Sequence, residues 1–412
     1  MRRRDFLRSG ALGAGAVGTL GAWPAAAYAH SDDVVERELP APLRRLRPQE
    51  PPPPISEEER MERRRRAQAI MEERGIAALL VESGASLEYF TDVSWGRSER
   101  LFGMLLPRRG EAIFISPSFE KERAALGVRD RFEIRPWEED ESPFELVVRA
   151  VGAWGLAGPI AIDPSARVFV FEGVARAAGG VPRVVGGDAV IEGTRGIKTD
   201  HEIAIMRFAN ERTLEAFEAA FATMRPGMTQ RDLATNVSAA MRQLGYSGGA
   251  LVLFGESAAY PHGAPAPAPL SAGDIVLVDG GLRVHGYTSD DTRTVSFGPA
   301  SAEAHEVFEV VREAQARALR AAAPGVTAGA VDTAARDYVT ARGYGPGYRL
   351  FTHRLGHGIG LEGHEWPYLV RGSTVELRPG MTFSNEPGIY QYGRFGVRLE
   401  DIMAITGTGA EL

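Results

Sequence analysis

One segment of this chain occurs twice, and the repetition constrains the architecture of the second half. The segments PGMTQRDLATNVSAAMRQLGY (226–246) and PGVTAGAVDTAARDYVTARGY (324–344) share Pro-Gly-x-Thr at the start and Gly-Tyr at the end. Each copy predicts a turn, a threonine N-cap and one amphipathic helix. A β-rich segment that carries carboxylates follows each copy. We therefore expect two similar α+β halves with a binding site where they meet.

The 412-residue length predicts two folded units, each large enough to bury a core. A helical pattern runs from 57 to 74, and short apolar runs then alternate with helical stretches, which indicates an α/β domain over residues 59–193. The apolar runs predict strands at 76–81, 102–107, 112–116 and 159–163. The four arginines at 63–66 are interpreted as a solvated helix face, because glutamates flank them.

A second domain is predicted over residues 194–412. Thr199 and Glu202 form the Ser/Thr-x-x-Glu pattern of a capping box, so a helix should begin near Asp200. The formal charge of -7 arises from 54 acidic and 47 basic residues spread along the chain. This distribution argues against a nucleic-acid-binding protein.

The N-terminus reads as a targeting segment. Arg3 and Arg4 precede a Gly/Ala-rich apolar run, which is followed by the small-x-small pattern Ala-Tyr-Ala at 27–29. This order resembles a twin-arginine export signal, so residues 1–29 are predicted to be a cleaved signal peptide rather than a membrane anchor. The implied partner is the twin-arginine export machinery, and the implied location is periplasmic or extracellular, without stable membrane insertion. The absence of cysteine excludes disulfides and thiolate metal sites.

Residues 30–58 are charged and rich in proline, with four consecutive prolines at 51–54. Such a composition favours an extended conformation. The segment is therefore predicted to be an extended arm between the signal and the first domain.

The β-rich segment after the first repeat is DIVLVDGGLRVHGYTSDDTRTVSFG (274–298). It predicts a hairpin with Asp279 on the first strand and the adjacent Asp290 and Asp291 at the second. Because side chains alternate across a strand, only one of these two aspartates can face Asp279.

The second half carries a parallel arrangement in GMTFSNEPGIYQYGRFGVRLEDIMAIT (380–406). This segment also predicts a hairpin, with Glu386 ending one strand and Glu400 within the next. Strand alternation places Arg398 and Glu400 on one face. Each half therefore contributes one carboxylate from each arm of a hairpin.

Histidines cluster between the two halves, in HRLGHGIGLEGHE (353–365). The spacing of His353 and His357 could suggest a zinc-protease helix, but Arg354 stands where that motif needs a glutamate. Several glycines also oppose a helix, so we predict an extended strand. His364 completes the cluster, and His262 lies in a loop ahead of the first hairpin.

Taken singly, each of these residues has an ordinary structural explanation, such as a turn aspartate or a core histidine. Together, four carboxylates match the charge of two divalent cations. Burying so many acids without a metal would cost considerable free energy. The set therefore predicts a metal centre.

These motifs resemble, in order, those of the pita-bread metallopeptidases, specifically the prolidase and aminopeptidase P branch. The resemblance covers about 195–406, and the preceding domain is similar to the creatinase-like N-terminal domain of that branch. It implies an α/β creatinase-like domain followed by an α+β pita-bread catalytic domain with an internal pseudo-twofold repeat. It also selects Asp290 over Asp291, which is then expected to face outward.

Carried over by position, the resemblance implies five metal ligands: Asp279, Asp290, His357, Glu386 and Glu400. Asp290 and Glu400 would bridge two divalent ions, Asp279 would hold one ion, and His357 and Glu386 would hold the other. The oxygen-rich ligand set favours Mn(II), while the imidazole leaves Co(II) and Zn(II) open.

The same resemblance assigns catalytic roles. Glu386 would take up and pass on the proton of the attacking water. His262 and His364 would bind the substrate carbonyl and the developing oxyanion. His353 and Arg398 would support the ligands and anchor the substrate.

The implied activity is hydrolysis of the bond between an N-terminal residue and proline in small peptides, by a homodimeric enzyme. Whether dipeptides or longer peptides are preferred is left open by the sequence. One alternative is a non-peptidase amidohydrolase of the same fold that acts on a small C–N bond substrate. A binding module that has lost catalysis is a second alternative, although all five ligands are intact.

Overall fold

The computed structural model describes residues 38–129, 131–180, 183–264 and 268–412. The predicted signal peptide, 1–29, and the first residues of the predicted arm lie outside these ranges. Within them, no helix is long and apolar enough to cross a membrane.

The first domain is built on a six-stranded mixed sheet with the strand order β4-β3-β2-β1-β5-β6. Its strands are β1 (Ala78–Glu82), β2 (Gly103–Pro107), β3 (Ile113–Pro117), β4 (Glu133–Trp137), β5 (Ile160–Ile162) and β6 (Val184–Gly186). The helices from the arm to the end of this domain are α1 (Ala41–Arg44), α2 (Glu57–Arg74), α3 (Ala85–Thr91), α4 (Lys121–Val128), α5 (Pro143–Ala153), α6 (Val168–Ala177) and α7 (Asp188–Thr194).

The apolar runs identified the strands that are buried, and all four predicted strands are present. Strands β1, β2 and β3 are buried along their whole length, which explains their continuous apolar sequences. The two strands that were missed lie at the sheet edges. β4 is mostly exposed and contains charged residues and proline, and β6 has only three residues, so neither carries an apolar run.

The predicted extended arm is partly helical and is packed against the protein. Leu43 of α1 is fully buried, and Ile55 is also buried. The carbonyls of Pro52 and Pro53 each accept a hydrogen bond of 3.0 Å from a histidine ring of the catalytic domain. The expectation of a wholly extended arm is therefore wrong at α1. It is also wrong at the last two residues, 57 and 58, which begin α2 behind a capping box at Ser56.

The arginine block at 63–66 is not a solvated face, so that interpretation is wrong. Arg63 and Arg64 are buried, and Arg63 donates to the Tyr89 carbonyl at 2.8 Å and pairs with Glu202 at 2.9 Å. Arg66 donates to the Gly193 carbonyl at 3.0 Å. Three of the four guanidiniums thus bind carbonyls or carboxylates between elements, while Arg65 remains exposed.

The second domain begins with α8 (Asp200–Phe221), and both hydrogen bonds of the predicted capping box between Thr199 and Glu202 are present. The two sequence repeats form α9 (Gln230–Gln243) and α11 (Ala328–Val339), each capped by the predicted threonine, Thr229 or Thr327. The long helix α10 (Ala302–Ala321) precedes α11.

Each half of this domain supplies its own sheet. The first has the order β10-β8-β7, with β9 paired to β8, and the second has the order β12-β11-β13-β16-β17. The strands are β7 (Gly248–Phe254), β8 (Ile275–Val284), β9 (Tyr287–Thr288), β10 (Asp291–Ser296), β11 (Gly356–Gly358), β12 (Glu365–Leu369), β13 (Thr382–Asn385), β14 (Gly388–Gln391), β15 (Phe395–Arg398), β16 (Asp401–Ile405) and β17 (Ala410–Glu411). Strands β14 and β15 form a separate pair.

The two halves meet at a short antiparallel bridge between Thr292 and Glu400. The Glu400 amide donates to the Thr292 carbonyl at 3.1 Å, and the Thr294 hydroxyl donates to the Arg398 carbonyl at 2.7 Å. The carboxylate-bearing segments of both halves are thereby held side by side.

Candidate metal centre

The first hairpin has the predicted register. β8 and β10 are antiparallel, with Thr292 opposite Asp279 and Asp291 opposite Gly280. Gly280 and Gly281 allow this close pairing, because a Cβ at either position would lie about 2 Å from a backbone oxygen of a neighbouring strand or segment. Asp290, immediately before β10, lies on the Asp279 side and lines the same cavity.

Asp291 lies on the opposite side of β10, as expected, but it does not face outward. Its exposure is 1%, and its Oδ2 atom has no hydrogen-bond donor among the described residues. It lines a different cavity, with Met206 and Ile402. The expectation of an outward-facing aspartate is therefore wrong, because helix α8 and strand β16 cover this face of the sheet.

The second hairpin is two nested hairpins rather than one. β13 pairs with β16, so that Asn385 is opposite Asp401, and β14 pairs with β15, so that Gly388 is opposite Arg398. Glu386 follows the end of β13, as predicted, whereas Glu400 lies in the break between β15 and β16 rather than within a strand. The two breaks lie side by side, which brings both glutamates to the centre.

His357 lies in the short strand β11, which confirms an extended segment here and excludes the helix. Its Nδ1 is 3.1 Å from the Gly358 carbonyl, so Nε2 points to the carboxylates, 3.3 Å from Glu386 Oε1 and 3.8 Å from Asp290 Oδ2. The Ser384 hydroxyl donates to Glu386 Oε1 at 3.1 Å and accepts from the His357 amide at 3.0 Å.

The five predicted ligands lie close enough together for several of them to bind the same cation. Their donor atoms form overlapping groups, in each of which all atoms lie within 4.8 Å of one another. The groups are Asp279, Asp290 and Glu400; His357, Glu386 and Glu400; and Asp290, His357 and His364. Asp290, His357 and Glu400 each belong to two of the groups, and Asp290 and Glu400 are the two that were predicted to bridge the ions.

The electrostatics of these groups show a deficit of positive charge. Burial, together with neighbouring carboxylates, raises the pKa of Asp290 to about 7 and that of Glu386 to about 8. The pKa of Glu400 is raised well above its ordinary value for the same reasons. Burial lowers the pKa of His357 to about 4, so this imidazole is neutral and its lone pair is free. A cluster of this composition fits divalent cations, which would supply the missing charge.

Arg398 is the guanidinium that contacts the cluster, and it is fully engaged by the protein. It donates to Asp279 Oδ2 at 2.6 Å, to the Tyr390 hydroxyl at 2.8 Å and to the Thr292 hydroxyl at 3.1 Å. Thr292 in turn donates to Glu400 Oε2 at 2.7 Å. Arg398 thus orients two of the carboxylates, and the geometry favours ligand support over substrate anchoring.

Both ring nitrogens of His353 also have hydrogen-bond partners within the protein. Its Nδ1 lies 2.7 Å from the Arg354 carbonyl and its Nε2 lies 2.8 Å from the Tyr390 hydroxyl. Burial lowers its pKa to about 3, so the ring is neutral. Because Tyr390 joins His353 to Arg398, both residues act through one buried network.

The centre opens into a cavity of about 200 Å³. His262 and His364 line it, as predicted, and both are exposed to solvent there. The His364 ring is stacked on the His357 ring, with centroids 3.7 Å apart. Arg354 also lines the cavity and was not predicted to be functional.

The other contributors that the sequence analysis missed are Thr292, Ser384 and Tyr390. Ser384 stands two residues before Glu386, so strand alternation could have placed both on one side. Tyr390 carried no such signal, because its position depends on the nested pairing of β14 and β15.

The fold and the clustered ligands define a two-domain metal-dependent hydrolase, and comparison with known proteins specifies the family. Residues 204–407 match the family model described as metallopeptidase family M24, and residues 63–197 match that of the creatinase/prolidase N-terminal domain. The chain belongs to the M24 family of metallopeptidases.

Relatives and solved structures agree with this assignment. A Mycobacterium bovis protein named "Probable dipeptidase PepE" is 36% identical over 353 residues, which cover 84% of this chain and 91% of the relative. The crystal structure of dipeptidase PepE from Mycobacterium ulcerans has a TM-score of 0.81 and 32% identity, and the match covers 87% of this chain and 96% of that one. The Xaa-Pro dipeptidase from Bacillus anthracis has a TM-score of 0.74 and 31% identity, with 85% and 96% covered.

These findings confirm the predicted fold class and the prediction of a metallopeptidase that uses divalent metal ions. They speak against the alternative of a binding module without catalysis. The choice of metal and the peptide bond that is cleaved are finer questions.

Proposed function

We propose that this protein hydrolyses the bond between an N-terminal residue and proline in short peptides, using two divalent ions. The observation that carries the proposal is the pair of ligand groups that share Glu400. The ions would be held by Asp279, Asp290, His357, Glu386 and Glu400. Bound there, they would supply the Lewis acidity that acidifies a water molecule and polarises the scissile carbonyl. Four carboxylates and one imidazole favour Mn(II).

Glu386 is the proposed proton carrier. Its carboxylate lies in the same group of ligand atoms as His357 and Glu400, beside the proposed ions, where it can accept a proton from the attacking water. The same carboxyl then delivers the proton to the proline nitrogen as the C–N bond breaks. The Ser384 hydroxyl, 3.1 Å from Oε1, holds the carboxylate in place.

His262 and His364 are the proposed donors to the substrate carbonyl oxygen. Burial, followed by the nearby Arg354 guanidinium, lowers the pKa of His364, so the neutral ring has one N–H. Donation of that N–H to an oxygen that gains negative charge would stabilise the tetrahedral transition state.

Arg354 supports a preference for dipeptides. Its guanidinium lies 4.3 Å from the centre of the Tyr368 ring and forms no ion pair with a carboxylate of the described residues. A cation at the wall of the catalytic cavity can bind the free carboxylate of the proline in an Xaa-Pro dipeptide, a group that longer peptides lack at this position. Arg398 is less suited to this task, because its donors are already used.

The test is an assay of Mn(II)-loaded protein on Xaa-Pro dipeptides, Xaa-Pro amides and Xaa-Pro-Xaa tripeptides, with parallel samples loaded with Co(II) or Zn(II). We expect cleavage before proline, the highest kcat/KM on dipeptides, and loss of cleavage in Asp290→Ala. If no metal-dependent release of the N-terminal residue occurs from any of the three series, the proposal is wrong.

We also propose that the protein is exported as a folded, metal-loaded molecule, as the twin-arginine pattern at residues 3 and 4 implies. Fractionation of cells that express the full chain or an Arg3→Lys/Arg4→Lys variant tests this. Equal distribution of the two proteins between compartments would contradict export by this route.

A further inference from the structure

A second cavity, of about 370 Å³, adjoins the catalytic cavity. His364 lines both cavities, so its imidazole forms part of the partition between them. The first domain contributes Asp163 and Asp188 to the walls, and the catalytic domain contributes Glu362 and Trp366. A substrate bound beside His364 could therefore extend a side chain into this second space.

The second cavity is strongly acidic. Its lining carboxylates are Asp163, Asp188, Glu192, Glu362 and Glu365. The lining cation Arg195 is already paired, at 2.9 Å with Glu362 and at 2.5 Å with Glu365. Lys198 also contacts Glu365, at 3.1 Å. The other three lining carboxylates have no lysine or arginine partner within ion-pair distance among the described residues, so the cavity has an excess of negative charge.

Asp163 makes this cavity more than a cluster of surface acids. It follows the end of β5, and its exposure is 2%. Its Oδ1 accepts a hydrogen bond of 2.7 Å from the Ser165 amide, but its Oδ2 is buried without a donor from the described residues. An unpaired buried carboxylate oxygen is costly, and a ligand that brings a charged donor would remove that cost.

We propose that this cavity binds a basic side chain of the peptide substrate, a lysine or an arginine. The charged end would pair with Asp163, and Asp188 and Glu192 would add long-range attraction. The aliphatic part of the side chain would lie along Trp366. The inference rests on the proposed function, because the peptide backbone would occupy the catalytic cavity next to His364.

The experiment compares lysine with norleucine, which has the same carbon chain without the ammonium group. Two series of peptides are assayed on the metal-loaded protein, one varied at the N-terminal residue and the other at the residue after proline. We expect about a tenfold higher kcat/KM for lysine in one series, mainly through KM, which corresponds to about 1.4 kcal/mol.

The variants Asp163→Asn and Glu192→Gln test the assignment to this cavity. Asp163→Asn keeps the acceptor for the Ser165 amide. We expect the ratio of kcat/KM for lysine peptides to kcat/KM for norleucine peptides to fall close to one, while kcat/KM for norleucine peptides stays unchanged. Glu192→Gln should reduce the preference partly. Glu145→Gln is the matched control, since this glutamate is exposed on α5 and lies outside the cavity.

Equal rates for lysine and norleucine peptides in both series would overturn the inference, as would a lysine preference that survives unchanged in both cavity variants. If no peptide is hydrolysed, the proposed function fails on its own. The cavity is then tested on the same unreactive protein by isothermal titration, where equal Kd values for lysine and norleucine peptides would overturn it.

Discussion

The metal centre and a second buried group of charges, the Glu365 cluster (Glu365, Arg195 and Lys198), show opposite consequences of burial. Burial alone would raise the pKa of Glu365, but Lys198 and Arg195 more than offset this effect, and its pKa is lowered. In the metal centre only Asp279, one of four carboxylates, contacts a guanidinium of the described residues, that of Arg398, and the pKa values of the other three are raised.

The difference lies in the supply of cations rather than in the depth of burial. The Glu365 cluster satisfies its carboxylate with the protein's own side chains, at 2.5 and 3.1 Å, and is thus complete as folded. The metal centre is short of positive charge and needs ions from solution. A buried group of acids with too few cations is therefore the physical sign of a metal site, and each prediction below tests that distinction.

The largest effect is expected at Glu400, a carboxylate that belongs to two of the overlapping ligand groups and was predicted to bridge the ions. Glu400→Gln removes a donor common to two groups, so we expect the kcat/KM for peptide cleavage to fall at least about a thousandfold. Metal content after dialysis should fall as well. Stability of the metal-free protein should not fall, because the substitution removes a repelling charge.

The control for this variant is Glu122→Gln, an exposed glutamate of α4. It should keep the metal, the activity and the melting temperature of the parent. A Glu400→Gln protein that retained two ions and full activity would show that charge deficit does not mark the metal site.

The Glu365 cluster should respond in the opposite way. Glu365→Gln leaves Arg195 and Lys198 buried with too little negative charge, and we expect unfolding in urea to show a loss of about 3–5 kcal/mol. Adding Lys198→Met should recover part of the loss, because the double variant removes both members of a pair. A loss below about 1 kcal/mol for Glu365→Gln would show that the cluster is not a structural ion pair.

Most residues of the metal centre could be predicted from the sequence, whereas almost nothing of the Glu365 cluster could. Asp279, Asp290, Glu386 and Glu400 lie within or beside strands that the apolar runs predict, and the resemblance to the pita-bread metallopeptidases selected them where strand alternation left Asp290 and Asp291 open. Glu365, Arg195 and Lys198, by contrast, carried no such signal, because about 170 residues separate the acid from its cations and no local pattern pairs them. Arg63 and Arg64 likewise looked like surface residues, since nothing local shows that a helix face will be covered.

The nested pairing of strands β13 to β16 could not be predicted from the sequence for a related reason. The turn residues between β14 and β15 predicted one hairpin, but the outer pair of β13 and β16 depends on chain segments that separate and rejoin around Glu386 and Glu400. Local patterns determine the existence of strands, whereas pairing across such a break is decided by tertiary packing. Asp291 was misassigned for the same reason, because α8 covers its face.

The two groups of charges also predict opposite pH dependences of stability. In the metal-free protein the pKa values of Asp290 and Glu386 rise on folding from ordinary values of 3.8 and 4.5 to about 7 and about 8. Between about pH 6.5 and pH 8 the folded state then binds more protons than the unfolded state, so its melting temperature should fall as the pH rises through this range. Below about pH 6.5 the lowered pKa values of His353 and His357 act in the opposite direction. Glu365 has a lowered pKa on folding, so its contribution is present above about pH 4.5 and is lost as the pH falls below that value.

Thermal unfolding from pH 3.5 to 8 in EDTA and in Mn(II) measures both effects. The metal-free protein should lose stability as the pH rises from about 6.5 to 8, and Mn(II) should reduce or reverse this loss, because ion binding displaces protons. An identical pH profile with and without metal would contradict the assignment of the raised pKa values to the metal centre.

The smallest effect is expected at Asp291, which resembles the metal ligands in burial but serves neither group of charges. Its carboxylate lines a cavity on the far side of β10 and has an oxygen without a donor among the described residues. Asp291→Val should raise the free energy of unfolding by about 1 kcal/mol, because a β-branched side chain suits a strand and leaves no buried charge unpaired. Metal content and kcat/KM should stay within about twofold of the parent, since Asp290 keeps its position and its side of the strand. Loss of metal in Asp291→Val, measured together with an unchanged Glu122→Gln control, would instead show that the two faces of β10 are coupled and that the second aspartate belongs to the metal centre.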